Sequence, residues 1–224
     1  MCADWNQLFQ DPGKVIREPD PLLGEFLQVM PREARVLDLG CGAGRHLLPL
    51  AKANLRVTGS DIAPVGLQFA RSWLASEQLS VDLVSAEMTA LPLAGAVFDG
   101  VISINVLNHG RIADTQASVR EVRRLLKRES PFFFVIIGRE DVRCGEGEEI
   151  EPFTFIPRLG IEAGVPHHYY DYDEILHLVE GFSRFSVRER RIPFDEKHPV
   201  FGNDPRAKGK INAISHHWEV KVWT

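Results

Sequence analysis

The sequence predicts an α/β fold built on a doubly wound, mostly parallel sheet with helices on both faces, and three observations carry that expectation. Short apolar runs alternate with amphipathic helical segments between about residues 35 and 137. The first of these runs ends in a glycine cluster, Gly40, Gly42 and Gly44, where a strand turning sharply into a helix needs backbone freedom. The run from Phe132 to Ile137 is apolar at every position, the pattern of a strand buried on both faces.

Arg35 to Leu39 is the first predicted strand, and Leu47, Leu48, Leu50 and Ala51 mark the helix after it. Leu55 to Gly59 forms a second strand that ends at Ser60 and Asp61. Pro64 is tolerated in a first helical turn and opens a helix through Leu67, Phe69, Ala70, Trp73 and Leu74. Val81 to Val84 and Val97 to Ile104 are the third and fourth strands, Thr115 to Lys127 a helix, and Phe132 to Ile137 the fifth strand. From Gly138 to about Pro166 the chain is rich in glycine, glutamate and proline and reads as a long irregular connection. Asp171 to Glu180 is a helix, and Phe185 to Ile192 and Ala213 to Val222 are two closing strands around a proline- and glycine-rich loop. Upstream, Trp5, Leu8 and Phe9 have helical spacing, and Asp20-Pro21-Leu22-Leu23 starts the helix leading to the first strand.

With 224 residues, 44% of them apolar, the chain suffices for one substantial core, so residues 1–224 are expected to form a single domain. Within it, residues 1–30 supply helices that lid the crevice or dock on the outside of the sheet, and residues 138–170 are an insertion. The net charge of -5 offers no global attraction for nucleic acid or an anionic membrane. The basic set Arg120, Arg123, Arg124, Lys127 and Arg128 interleaves with Val119, Val122, Leu125 and Leu126 and reads as the solvated face of an amphipathic helix. Cys2, Cys41 and Cys144 form no CxxC pair, which fits a reducing compartment and gives no zinc signature. No signal-peptide core or bilayer-length run appears, so a cytoplasmic location is expected, as a monomer or homodimer.

The ligand signals gather at strand ends. A nicotinamide dinucleotide would place its diphosphate at the glycine turn, but Asp38, two residues before Gly40, would repel it. A ligand with an ammonium and a sulfonium reverses that sign, and S-adenosyl-L-methionine has both. Asp38, Gly40, Cys41, Gly42 and Gly44 then form the turn around it, and Asp61 is placed for its ribose hydroxyls. Glu87 supplies a carboxylate or backbone amide to the adenine edge, while Met88 and Ile62 cover the ring faces. Asn105 to Gly110, with His109, closes the crevice at the end of strand four, where a backbone carbonyl holds the ammonium.

Val36-Leu37-Asp38-Leu39-Gly40-Cys41-Gly42-Ala43-Gly44, Asp61, Glu87-Met88 followed by Leu91-Pro92, and Phe98-Asp99 entering strand four resemble the class I S-adenosylmethionine-dependent methyltransferases over roughly residues 30 to 140. The resemblance implies a seven-stranded Rossmann-like sheet with one antiparallel strand, cofactor contacts at Asp38, Gly40, Asp61, Glu87 and Asn105, and S-adenosyl-L-homocysteine as product. Gly44 to Ala51 also resembles the small-molecule branch that includes the tellurite and thiopurine methyltransferases. Two departures stand out: Asn54 where the family often has glycine, and Arg128-Glu129-Ser130-Pro131 in place of a Pro-Gly-Gly turn.

Methyl transfer from a sulfonium is an in-line displacement, so positioning the acceptor and excluding water supply much of the catalysis. His109 is the candidate base if the acceptor must lose a proton, with loop orientation as its alternative role. The segment Gly164 to Tyr170 is a candidate acceptor lid in which at most one of His167 and His168 faces the substrate pocket, the other serving a cap or turn. His46, His216 and His217 read as structural, and Glu146, Glu148, Glu149 and Glu151 as a solvated acidic loop or a screen for cationic acceptors. No metal site is expected. The partner is a small-molecule acceptor; the alternatives are an inactive cofactor-binding or regulatory protein and, behind it, a nicotinamide oxidoreductase.

Overall fold

The computed structural model describes residues 5–9, 15–160, 162–193, 210 and 213–224, without the side chains of Gln7 and Leu8. The expected lid or docking segment therefore lies partly outside the described residues, at 1–4 and 10–14, as does most of the loop between the two closing strands.

Helix α1 (Trp5–Phe9) and α2 (Leu22–Val29) precede strand β1 (Arg35–Leu39). There follow α3 (Leu47–Lys52), β2 (Arg56–Asp61), α4 (Pro64–Ser76), β3 (Asp82–Ser85), β4 (Gly100–Ile104), α5 (Ile112–Leu125) and β5 (Pro131–Ile137). Beyond them lie β6 (Glu148–Glu151), β7 (Thr154–Ile156), β8 (His167–His168), α6 (Tyr172–Leu178), β9 (Arg184–Pro193) and β10 (Ile214–Trp223). The main sheet has seven strands in the order β3-β2-β1-β4-β5-β10-β9. Only β10 runs against its neighbours, pairing antiparallel with both β5 and β9, so the expected single antiparallel strand is present. Strand order reverses between β1 and β4, and at such a switch point two loops diverge and open a crevice at the carboxyl ends.

Alternation along β5 builds both halves of the core. Phe132, Phe134 and Ile136 face Val119, Val122 and Leu125 of α5, whereas Phe133 and Val135 face the other side, where α2, α3 and α4 contribute Phe26, Leu47, Leu50, Leu67 and Ala70. Phe133 meets Phe26 edge-on at 5.5 Å between ring centroids. Each such buried side chain contributes about 1.5–3 kcal/mol through removal of apolar surface from water.

Several sequence expectations need correction. The segment after Gly138 is not irregular throughout, because β6, β7 and β8 form a separate three-stranded sheet. Strand four begins at Gly100; Asp99 instead takes Arg35 N at 2.8 Å and Lys127 Nζ at 2.6 Å, and Phe98 makes only an isolated bridge to Leu126. Helix α5 starts earlier than expected because Asp114 accepts from Arg111 N and Glu151 from Ile112 N, satisfying its first amides. Glu151 is thus structural, and Glu149 likewise accepts from Phe153 N, so the acidic loop is not simply solvated. Asn54 and Glu129, the two departures from the family pattern, adopt φ of 57° and 60°, the left-handed conformation that glycine would supply. β10 lies inside the sheet, so Trp218 packs beside Tyr172 and Trp223 against Phe133. On α5, Arg124 pairs with Glu121 and Arg123 lies over Phe182, leaving the basic face largely engaged locally. Among the described residues no helix is long and apolar enough to cross a membrane.

Candidate functional site

The glycine turn is held by its neighbour strand. Gly40 N and Cys41 N both donate to Ser60 O, at 2.8 and 2.9 Å, and Gly40, Gly42 and Gly44 take φ of 72°, 50° and 93°. Cys41 turns its sulfur toward the core beneath Gly59, and its carbonyl accepts from Gly44 N at 2.9 Å. Asp38, one residue before the end of β1, is 1% exposed, and neither carboxylate oxygen accepts a hydrogen bond from any described residue. Burial pushes its pKa up to about 7, against the pull of Arg45 and with help from Asp61. His46 Nδ1 lies 3.9 Å away, but burial holds His46 down to about 3 and its Nε2 accepts from Asp20 N, so it stands there as a neutral ring. A buried carboxylate without donors carries a desolvation cost that a cationic ligand would relieve.

Asp61 ties the second strand end to the same turn. Its Oδ2 accepts from Gly42 N at 2.7 Å and its Oδ1 from Ala63 N at 2.8 Å; burial raises its pKa while these amides oppose the rise. Ile62 beside it is half-buried. Ala86 N donates to Asp61 O, bringing the end of β3 alongside, where Glu87 is exposed and Met88 packs against the α5 side of the core. At the end of β4, Asn105 has φ 57° and its Oδ1 is a buried acceptor without a donor among the described residues. Asp38, Asp61 and Asn105 thus stand at the ends of three adjacent strands, and two of the three present unmatched buried acceptors.

His109 belongs to a second cluster, and its central member is a residue that sequence reasoning missed. Glu162 lies 3.6 Å from His109 Nε2 and 3.1 Å from His167 Nε2. Burial lowers the pKa of His109 although Glu162 opposes this, while the two histidines hold the Glu162 carboxyl well below its ordinary range despite its own burial. No local spacing links residues 109 and 162; they meet because His109 and His167 form an antiparallel bridge between the β4 loop and β8. His168 points elsewhere: Nδ1 lies 2.6 Å from Thr154 Oγ1 and Nε2 3.4 Å from Glu174, which caps α6 together with Asp171. The geometry therefore groups His167, but not His168, with His109.

Helix α1 spans the two clusters. Asn6 Oδ1 accepts from Val65 N at 3.1 Å, Trp5 packs on His109 with 4.6 Å between ring centroids, and Phe9 sits so close that a Cβ on Gly42 or Gly66 would lie within about 3 Å of its ring.

Comparison with known proteins places this arrangement in context. Residues 36–129 match the sequence model of a family described as a methyltransferase domain. The ubiquinone biosynthesis O-methyltransferase of Dinoroseobacter shibae is 31% identical over 121 residues, 54% of this chain and 44% of that protein. The protein of the same name from Xanthomonas axonopodis pv. citri is 30% identical over 165 residues, 72% of this chain and 66% of that one. The crystal structure of the PH0226 protein from Pyrococcus horikoshii OT3 shares the fold with a TM-score of 0.67 at 20% identity, covering 90% of this chain and 87% of that one. The matched part of the chain spans about half the length of three such relatives, 44% of the Dinoroseobacter protein and 40% and 54% of two further proteins of the same name.

Proposed function

We propose that this chain, which carries a class I S-adenosylmethionine-dependent methyltransferase domain, transfers the methyl group of S-adenosylmethionine to a small-molecule acceptor. The observation that carries the cofactor reading is Asp38, a buried carboxylate at the glycine turn with no donor of its own among the described residues. Asp38 and the unmatched Oδ1 of Asn105 fit an ammonium, and Asp61 fits paired hydroxyls while keeping its two backbone donors. Gly40, Cys41, Gly42 and Gly44 form the turn around the methionine end, with Ile62, Glu87 and Met88 placed for the adenine. When bound, S-adenosylmethionine supplies a methyl group activated by the positive charge on its sulfur.

The chain's own residues would position the acceptor and exclude water. The reading gives α1 the part of a lid, since Trp5 and Phe9 bridge the His109 cluster and the glycine turn, and gives residues 138–170 the acceptor side. His109, kept neutral by burial, is available to take a proton from an acceptor, and Glu162 would stabilise the imidazolium so formed. A second reading rests on the Trp5 contact: a chain whose own helix seals the acceptor side at His109 could bind cofactor without turning over.

Calorimetric titration with S-adenosylhomocysteine and with NAD tests the cofactor assignment. Saturable binding of the first alone is expected, with affinity lowered in Asp61→Ala; NAD preference, or no binding, would overturn it. Turnover of S-adenosylmethionine in an acceptor screen separates the enzyme from the inactive binding protein.

A further inference from the structure

His109, Glu162 and His167 each offer a ligand atom within 4.8 Å of the other two. The cluster is largely enclosed, with side chains 15%, 11% and 3% exposed, and Trp5 lies against His109. Its backbone is pinned: besides the bridge between His109 and His167, Gly110 N donates to Pro166 O and His168 N to Asn108 O, each at 2.9 Å. Ligands held this way lose little freedom on binding an ion.

The hydrogen bonding of His167 gives a second indication. Its Nδ1 donates to Val165 O at 2.8 Å, which leaves Nε2 facing Glu162 Oε2 at 3.1 Å. Either a proton or a metal ion must stand between that nitrogen and the carboxylate. A ring nitrogen tied to a backbone carbonyl while its other nitrogen faces an anionic ligand is the arrangement that metal-binding histidines adopt.

We propose that His109, Glu162 and His167 bind a divalent transition-metal ion of the zinc class. Two imidazoles and a carboxylate suit zinc and its first-row neighbours, whereas magnesium and calcium favour oxygen throughout. The nearby positive charge of Arg143 does not oppose the ion unaided, because Asp141 engages it from both carboxylate oxygens at 2.7 and 2.9 Å. Three protein ligands leave a coordination position to water or to an oxygen or sulfur of the acceptor. An acceptor hydroxyl or thiol bound there would give up its proton to solvent more readily, and the resulting anion would form the new bond to carbon as the sulfonium–methyl bond breaks. With the ion bound, His109 and Glu162 act as ligands in place of a base and its partner; that role rests on the methyl-transfer reading, whereas the metal site does not.

The test strips the full chain with a chelator, dialyses it, and titrates it with cobalt(II), followed by visible absorption, and with zinc(II), followed by calorimetry. One equivalent should bind, zinc should displace cobalt, and E162Q and H167Q should each weaken binding more than about tenfold. His177→Gln, altering an exposed histidine outside the cluster, should leave binding unchanged, and circular dichroism should certify each variant's fold. No stoichiometric binding, or equal binding by folded E162Q and H167Q, overturns the site and assigns the charge between His167 and Glu162 to a proton. S-adenosylhomocysteine titrations on the same samples keep the two readings apart: cofactor binding without metal binding removes only the metal site, whereas metal binding without cofactor binding removes only the methyl-transfer reading.

Discussion

Val106 stands directly over Gly40: a β-carbon built on that glycine would lie 2.4 Å from both methyl groups of the valine. The end of β4 is thereby packed onto the end of β1, across the point where the strand order reverses. Gly40→Ala must move this loop and also hold alanine at a φ of 72°. The expected loss is about 1–3 kcal/mol of stability, read in a urea titration, together with weakened S-adenosylhomocysteine binding. Wild-type values for both would show that the turn tolerates a side chain and does not shape the site.

Asp38→Asn separates ligand binding from stability. Because the folded pKa of Asp38 is raised to about 7 from the ordinary 3.8, its contribution to stability is greatest below 3.8 and declines as pH rises toward 7. The variant should therefore melt higher than the wild type at about pH 8 without ligand, yet bind S-adenosylhomocysteine at least about tenfold more weakly. Wild-type affinity should also fall as the pH drops below about 7, since a protonated Asp38 cannot pair with the ammonium. A variant with lower thermal stability and unchanged affinity would contradict both parts.

His217 gives a sign test of the opposite kind. Burial first, and then Arg143, holds its folded pKa down to about 4 against an ordinary value of 6.5. The unfolded chain takes up the proton first, so this stabilisation is complete above 6.5 and is lost as pH falls toward 4. The stability difference between wild type and His217→Gln, from urea titrations at stepped pH, should move against the wild type by up to about 1.4 kcal/mol per pH unit in that window. A difference independent of pH would mean that His217 titrates normally in the folded protein.

Trp5→Ala combined with Phe9→Ala tests the role of α1. Neither side chain belongs to the two core clusters, so the unliganded protein should lose about 1 kcal/mol or less. The release rate of S-adenosylhomocysteine, measured by stopped flow, should rise several-fold if these rings close the crevice. An unchanged release rate together with an unchanged acceptor KM would exclude a lid.

The elements that sequence reading located best are those whose signal is local. β5 is evident from six consecutive apolar residues, and α4 from Pro64 followed by an apolar face, because alternation and helical period are properties of neighbouring side chains. Asp38 and Asp61 were legible as candidate ligand-facing acids because each stands beside a strand end that its own segment announces. Segments that pair across the fold were less legible: β6, β7 and β8 are only four, three and two residues long, too short for a period to emerge.

By itself, the sequence determined the alternation of strands and helices, the glycine turn and the acids flanking it, since those follow from conformational preferences and charges a few residues apart. Only the tertiary structure decided that β10 lies inside the sheet, that Asp38 is buried without a donor among the described residues, and that Glu162 stands between His109 and His167. Burial and long-range proximity arise when the crossovers close the chain on itself, and closure brings together residues 53 positions apart that no local pattern connects.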